Sequence, residues 1–196
     1  MLRSGQARLR VGLVILGLAA ASIVATATAL LHVRAPDDAS RSSQRAVWLK
    51  EPWPFPIDQW GTGQAFGCST GPCGTDLHLY LRAKIGFCRC ATSVSDDDEI
   101  DRVGDTELFG SNYKPLGRGH SIEAGVLRGR ARLFRVDRAF RSSMPVFTIA
   151  LANKCDAVVA TVASDQNISF VQEESAVEFL RSEIVQRWAE MNTGSN

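Results

Sequence analysis

The feature that most constrains this chain is an uncharged run over residues 11–31, preceded by three arginines, Arg3, Arg8 and Arg10. At about 1.5 Å of rise per residue, a helix over this run is roughly 31 Å long, which is enough to cross the hydrocarbon core of a bilayer. Positive charge stays on the cytoplasmic side of a membrane. The sequence therefore predicts a cytoplasmic N-terminus over residues 1–10, a transmembrane signal-anchor, and an exported chain after it.

A cleaved signal peptide is the alternative, because small residues follow the apolar stretch as they do at a cleavage site. Ala25-Thr26-Ala27 and Ala27-Thr28-Ala29 both match the A-x-A pattern. Apolar character continues to Leu31, and no proline or glycine follows Gly17 within the run, which favours a retained anchor. Both interpretations export the rest of the chain. A short, single-pass protein of this kind fits the bacterial inner membrane, with its C-terminal domain in the periplasm.

The chain after the apolar run is predicted to form a polar linker over residues 32–46 and one globular domain over residues 47–196. The whole chain has a formal net charge of +1, and its first 31 residues carry three arginines and no acid. The exported part is therefore slightly acidic, whereas nucleic-acid binders carry a dominant basic face. A hydrophobic fraction of 45% excludes a disordered chain.

Short apolar segments bounded by turn residues predict strands in the second half of the domain. Leu127–Val136 and Pro145–Ala152 are predicted strands. Asn153-Lys154 is predicted to turn the chain into a third strand over residues 156–163, which makes a hairpin.

The C-terminal segment has the apolar spacing of an amphipathic helix. Its apolar positions are Ala176, Val177, Leu180, Ile184, Trp188 and Met191. Ser175 and Glu178 match a capping box at its beginning. Because an apolar helix face needs a sheet to cover, the predicted fold class is α+β. We expect a single exported domain, an antiparallel sheet covered by this helix, with one N-terminal transmembrane helix.

The cysteines of an exported domain are predicted to form disulfides, because the compartment outside the cytoplasm is oxidising. The disulfide candidates are Cys68, Cys73, Cys88, Cys90 and Cys155. At least one of them is left unpaired, and the connectivity stays open. Residues 84–91 are predicted to form a strand that pairs with a strand over Leu77–Arg82. Cys88 and Cys90 occupy alternate positions of that strand, so their side chains point the same way. A disulfide between these two cysteines is therefore disfavoured.

The same cysteines allow an alternative function, a thiol redox or metal-handling protein that uses Cys88 and Cys90. Lys84 or Arg89 would lower the pKa of a thiol at this position, and two thiolates in close sequence suit copper(I). The spacings C-x4-C and C-x-C fit a zinc ribbon poorly, and no C-x-x-C motif is present. We expect no metal and no cofactor.

Arg128, Arg130 and Arg132 alternate with apolar and small residues along a predicted strand, so their guanidinium groups share one face. Such a face is suited to carboxylate- or phosphate-bearing envelope polymers or lipid headgroups. Two alternatives stay open. The arginines pair with the acidic segment over residues 95–105, which is predicted as a loop, or they form the solvent side of a half-buried sheet.

Three prolines alternate with aromatic residues over residues 52–56 and enforce an extended backbone. Trp53, Phe55 and Trp60 are therefore candidates for aromatic docking of an envelope protein. The alternative, which we favour, is that these side chains lie across the domain and cover its core.

Residues 67–71 match the G-x-S-x-G pattern around Ser69, which in hydrolases needs a strand before the serine and a helix after it. We expect neither here, because glycines and a proline surround the motif. Asp105 and His120 follow in the order of a catalytic triad, yet a chain of this length offers such residues by chance. No catalytic residue is assigned, and an enzyme is not favoured.

The sequence thus predicts a membrane-anchored, envelope-facing protein, a non-catalytic binding or accessory module stabilised by disulfides. Its predicted partners are the membrane, through residues 11–31, and an anionic envelope component or an envelope protein. Nucleic acid is not an expected partner.

Overall fold

The computed structural model describes residues 46–87 and 92–194. The predicted cytoplasmic segment, transmembrane segment and nearly all of the linker lie outside the described residues, as do Cys88 and Cys90. Across the two described ranges, every helix is too short or too polar to span a bilayer.

The strands of the described chain join into one eight-stranded sheet. The strands are β1 Leu49–Glu51, β2 Gln64–Cys68, β3 Leu77–Lys84, β4 Asn112–Pro115, β5 His120–Ala124, β6 Leu127–Asp137, β7 Met144–Asn153 and β8 Asp156–Ala163. Their order is β1-β2-β3-β8-β7-β6-β4, and β5 also pairs with β6. All of these pairs are antiparallel. With helices on the sheet, the predicted α+β class is confirmed.

Four α-helices accompany the sheet in the described ranges: α1 Thr70–Cys73, α2 Asp97–Val103, α3 Phe170–Leu180 and α4 Glu183–Asn192. A 3₁₀ turn over Thr106–Leu108 follows α2. The sequence predicts a loop over the acidic segment, residues 95–105. This prediction is wrong in part, because the segment contains α2. Asp96 begins this helix by accepting a hydrogen bond from the Glu99 backbone amide at 2.8 Å, which is the usual role of a carboxylate at an N-cap.

The predicted strands and hairpin of the second half are confirmed by β6, β7 and β8. Asn153 pairs with Asp156, so the turn between β7 and β8 has two residues. Lys154 takes a φ of 57° there, which fits the left-handed conformation that short hairpins require. The predicted strand over residues 84–91 is wrong in its described part, because β3 extends to Lys84 and a turn follows at residues 85–86.

The C-terminal helix differs from its prediction in two respects. It is broken into α3 and α4 at residues 181–182, and the capping box lies at Ser169 and Gln172, six residues before the predicted one. The break changes the rotational phase of the second helix. Ile184 and Met191 are consequently 70% and 75% exposed, although the single-helix spacing predicted both as buried.

The two faces of the sheet are covered by different elements. On the face that we call the C-helix face, alternate side chains of β3 pack with α3, as Leu79, Leu81 and Leu180 show. On the opposite face, which we call the α2 face, Ile100 of α2 packs with Val159 of β8. Strand β8 is buried along its whole length, because the central strands of the sheet are covered on both faces.

Candidate functional site

Two of the three candidate arginines lie beneath α2 and are paired with its carboxylates. Arg130 Nε lies 2.5 Å from Asp97 Oδ1, and Arg132 Nη1 lies 2.7 Å from Asp101 Oδ2. Their side chains are only 17% and 12% exposed. Arg130 and Arg132 therefore do not form the solvent side of a half-buried sheet. They pair with the acidic segment, which is the other alternative that the sequence left open.

The carboxylate of Asp97 is held in its charged form by these contacts. The hydrogen bond from Arg130 lowers the pKa of Asp97, against the opposing effect of burial, and a hydrogen bond from the Gly119 backbone amide lowers it further. The acids of α2 thus act as counter-ions for the strand. No cluster of His, Cys, Asp or Glu that could hold a metal ion occurs among the described residues.

Replacing Asp97 with asparagine is expected to remove a pH-dependent part of the stability. Because the folded-state pKa lies below the ordinary 3.8, the stabilisation is present above that pH and is lost as the pH falls through the folded-state value. We expect the Asp97→Asn variant to be about 1–2 kcal/mol less stable than wild type near neutral pH. Urea unfolding of both proteins across a pH series measures the difference, which must shrink below pH 3.8.

Asp98 supplies the control, because it lies on the same helix turn and is exposed. An Asp98→Asn variant is expected to unfold within about 0.5 kcal/mol of wild type at every pH. A difference between wild type and Asp97→Asn that stays constant down to the most acidic point would contradict the role assigned to the Arg130 contact.

Arg128 stands apart from the other two arginines, because it lies beyond the helix and is exposed. Its side chain is 81% exposed, and its Nε lies 3.2 Å from Oε1 of Glu123, which is itself 65% exposed. An exposed pair of this kind contributes about 0–1 kcal/mol, so it is readily exchanged for another anion.

The Arg128 side chain lines a cleft of about 500 Å³ at one end of the α2 face. Lys154, from the turn between β7 and β8, lies in the same lining and donates a hydrogen bond to the Gly194 carbonyl at 2.8 Å. The hydroxyl-bearing residues of the lining are Thr92, Ser93, Ser95 and Ser121. The cleft therefore presents two cationic side chains, several hydroxyl groups and one carboxylate, that of Glu123.

A buried charge cluster on β3 was missed by the sequence analysis. Arg82 donates two hydrogen bonds to Asp105, from Nε at 3.0 Å and from Nη2 at 2.6 Å. Lys84 Nζ lies 2.8 Å from the same carboxylate. None of the three side chains is more than 3% exposed. Arg82 also contacts Asp58, whose carboxylate is 40% exposed.

The aromatic side chains of the proline-rich segment lie over this cluster. The Trp53 ring centre is 5.7 Å from Arg82 Cζ, and the Trp60 ring centre is 5.4 Å from Lys84 Nζ. These distances allow cation–π attraction. For Trp53 and Trp60, the contacts support the interpretation that the segment covers the domain. Phe55 instead packs against Tyr80 and Phe109.

The motif around Ser69 has more of its required context than the sequence indicated. β2 ends at Cys68 and α1 begins at Thr70, so a strand and a four-residue helix flank the serine. The Ser69 backbone is nevertheless extended, with a φ of −75° and a ψ of 163°, whereas a nucleophile elbow is a strained turn.

The remaining triad candidates lie on opposite faces of the sheet. Asp105 is held by Arg82 on the α2 face. The His120 ring stacks on Phe147, which belongs to the core of the C-helix face. Asp105 and His120 are therefore not assembled into a catalytic triad.

The disulfide prediction is confirmed for one pair. Cys68 and Cys73 are bonded, with their Cα atoms 6.0 Å apart, and both residues are buried. This bond closes the connection between β2 and α1. Cys155 is also disulfide-bonded, and its partner is not among the described residues. The pair Cys88 and Cys90, on which the redox and metal alternative depends, lies outside the described residues.

Comparisons with models of protein families, with curated proteins and with solved structures gave no match.

Proposed function

We propose that this chain is a membrane-anchored, envelope-facing binding module without catalytic activity, and that its ligand is an envelope component bearing carboxylate or phosphate groups. The anchor is the apolar segment over residues 11–31, and the binding domain faces the periplasm of a bacterial inner membrane. The observation that carries the proposal is the exposed Arg128 side chain in a cleft that also contains Lys154 and several hydroxyl groups.

The chemistry of the cleft fits an oxyanion better than a neutral or cationic ligand. A guanidinium group offers a planar pair of N–H donors that matches carboxylate and phosphate oxygens. The hydroxyl side chains of the lining supply further hydrogen-bond donors. The single carboxylate, Glu123, contacts Arg128 only in an exposed pair. Displacement of that carboxylate by a ligand oxyanion therefore costs little.

Arg130 and Arg132 are excluded from the proposed site by their contacts with α2. A ligand would have to break their pairs with Asp97 and Asp101 and displace the helix. We therefore place binding at Arg128 alone among the three candidate arginines, and we expect changes at Arg130 or Arg132 to act on stability.

Replacing Arg128 with alanine is expected to weaken binding of an anionic polymer about 10-fold, which corresponds to about 1.4 kcal/mol, with no change in melting temperature. The full-length chain, exported to an oxidising compartment and purified without reductant, is titrated with polygalacturonate and with polyphosphate. Dextran serves as the neutral polymer. Binding is expected to weaken at high salt, because exposed charges are screened.

Arg135 provides a matched control on the same strand. It is exposed, and alternation along β6 places it on the C-helix face, opposite to Arg128. An Arg135→Ala variant removes the same charge and is expected to bind both polymers as wild type does. Equal losses in the two variants would show general charge attraction instead of a site, and no binding of either polymer would reject an anionic ligand.

A further inference from the structure

A second cavity of about 500 Å³ lies on the α2 face, at the opposite end of the strands from the Arg128 cleft. It is lined by side chains of β3, by Met144 at the beginning of β7 and by Ala163 at the end of β8. The proline-rich segment forms another wall, through Pro54 and Phe55. Its volume falls in the range of about 300–1,000 Å³ that small-molecule sites take.

Three aromatic rings form the apolar side of this cavity. The ring centres of Phe55 and Tyr80 are 4.9 Å apart, and those of Phe55 and Phe109 are 5.3 Å apart. Tyr80 and Phe109 complete the triangle at 5.5 Å. The two contacts of Phe55 are edge-to-face and the third is tilted, and aromatic side chains that pack in this way form an apolar surface. Because all three residues also line the cavity, part of this surface is available to a ligand.

Polar groups of both charge signs surround the apolar side. The polar lining residues are Thr75, Asp76, His78, Arg138, Ser164, Asp165 and Gln166. Arg138 Nη1 lies 2.7 Å from Asp165 Oδ1, so this cation is already balanced. His78 Nδ1 is bound by Glu51 at 3.0 Å, at the edge of the cavity. The lining thus offers many hydrogen-bond donors and acceptors with little net charge.

Tyr80 contributes to both parts of the lining, because its ring belongs to the aromatic side and its side chain also carries a hydroxyl group. The hydroxyl makes no hydrogen bond within the described residues, although the ring is packed on Phe55 and Phe109. Burial raises the pKa of Tyr80, and the nearby Glu51 carboxylate raises it further. The hydroxyl is protonated at neutral pH, as a tyrosine hydroxyl ordinarily is, and can donate to a ligand oxygen.

We propose that this cavity binds a neutral saccharide unit, with the C–H face of the sugar ring on the aromatic side and its hydroxyl groups against the polar lining. A wholly apolar ligand would cover the polar groups without giving them partners, which is costly. A small anion would meet one net negative charge from Asp76, Asp165 and Arg138. A small cation would find Asp165 paired with Arg138 and Asp76 already accepting hydrogen bonds from the Thr70 amide and hydroxyl. The site is separate from the Arg128 cleft and does not depend on it.

Saturation-transfer NMR on the full-length chain tests the proposal. The chain is kept in a detergent without a sugar headgroup, and the probes are cellobiose, maltose and the β-1,4 dimer of N-acetylglucosamine. We expect transfer to the axial ring protons of at least one disaccharide. Phenylacetate and trimethylphenylammonium serve as aromatic probes of opposite charge and are expected to show no transfer.

Two variants and one control connect the signal to the cavity. Tyr80→Phe keeps the ring and removes only the hydroxyl, and it is expected to weaken saccharide binding about fivefold without changing the melting temperature. Phe55→Ala is expected to weaken it more. Phe140→Ala removes a fully exposed ring that does not line the cavity, and it is expected to bind as wild type does.

The proposal is overturned if no disaccharide receives transfer from the wild-type chain, or if only an aromatic probe does. It is also overturned if Tyr80→Phe and Phe55→Ala bind the disaccharide as well as Phe140→Ala does, because the binding then lies elsewhere.

Discussion

Replacement of Asp105 by asparagine is expected to destabilise the domain by about 3–5 kcal/mol, because it leaves two buried cations without their shared anion. Arg82 and Lys84 both contact the Asp105 carboxylate, and each of these side chains is almost fully buried. Asparagine has nearly the same size as aspartate, so the loss of stability is caused by removal of the charge and not by a change in side-chain volume. Chemical unfolding of the full-length chain, followed by tryptophan fluorescence, measures the effect.

Asp58 provides the comparison within the same cluster. Its carboxylate also contacts Arg82, at 2.7 Å, but it is 40% exposed. Asp58→Asn is therefore expected to cost less than about 1 kcal/mol, since water replaces the lost contact. If Asp105→Asn costs no more than Asp58→Asn, the Asp105 carboxylate is not the main counter-ion of Arg82 and Lys84.

The second large effect is expected at Gly129, which lies between Arg128 and Arg130 near the beginning of β6. A Cβ atom added there would overlap the backbone carbonyl oxygen of Ala150 in the neighbouring strand β7. Because both groups belong to the paired backbones of β6 and β7, neither can move without disturbing the sheet. We expect Gly129→Ala to lower the free energy of unfolding by about 3 kcal/mol.

Gly71 is the matched position for this test. It lies in α1, and an added Cβ would meet nothing within 4 Å. Gly71→Ala is expected to change stability by no more than about 0.5 kcal/mol, as measured by the same chemical unfolding. Equal stability of the two variants would mean that β6 and β7 adjust freely around Gly129. That result would contradict the overlap expected between an added Cβ atom and the Ala150 carbonyl oxygen.

The pairing of Arg130 and Arg132 with α2 had a signal in the sequence that was not used. Asp97 and Asp101 are four residues apart, which is close to one helical turn, or about 6 Å along the axis. Two residues along a strand span about 6.8 Å. Acids spaced by four and arginines spaced by two therefore match when a helix lies along a strand. Predicting the acidic segment as a loop concealed this correspondence.

The buried cluster of Arg82, Lys84 and Asp105 had no comparable signal. The cations lie on β3, and Asp105 comes just after α2, 23 residues beyond Arg82 in the chain. Alternation along β3 predicts that Arg82 and Lys84 share a face, but it does not say whether that face meets water or another layer. Burial of both cations depends on the positions of α2 and the proline-rich segment.

The sequence by itself determined the elements whose pattern is local. These are the strands β6, β7 and β8 with their hairpin, the presence of helix near the C-terminus, and the α+β class. Their residues carry the periodicity and turn chemistry of the element, independent of distant neighbours. Only the tertiary structure decided which polar residues are exposed. Arg128 faces a cleft while Arg130 and Arg132 lie under α2, because exposure of a strand face depends on which other layer packs against it.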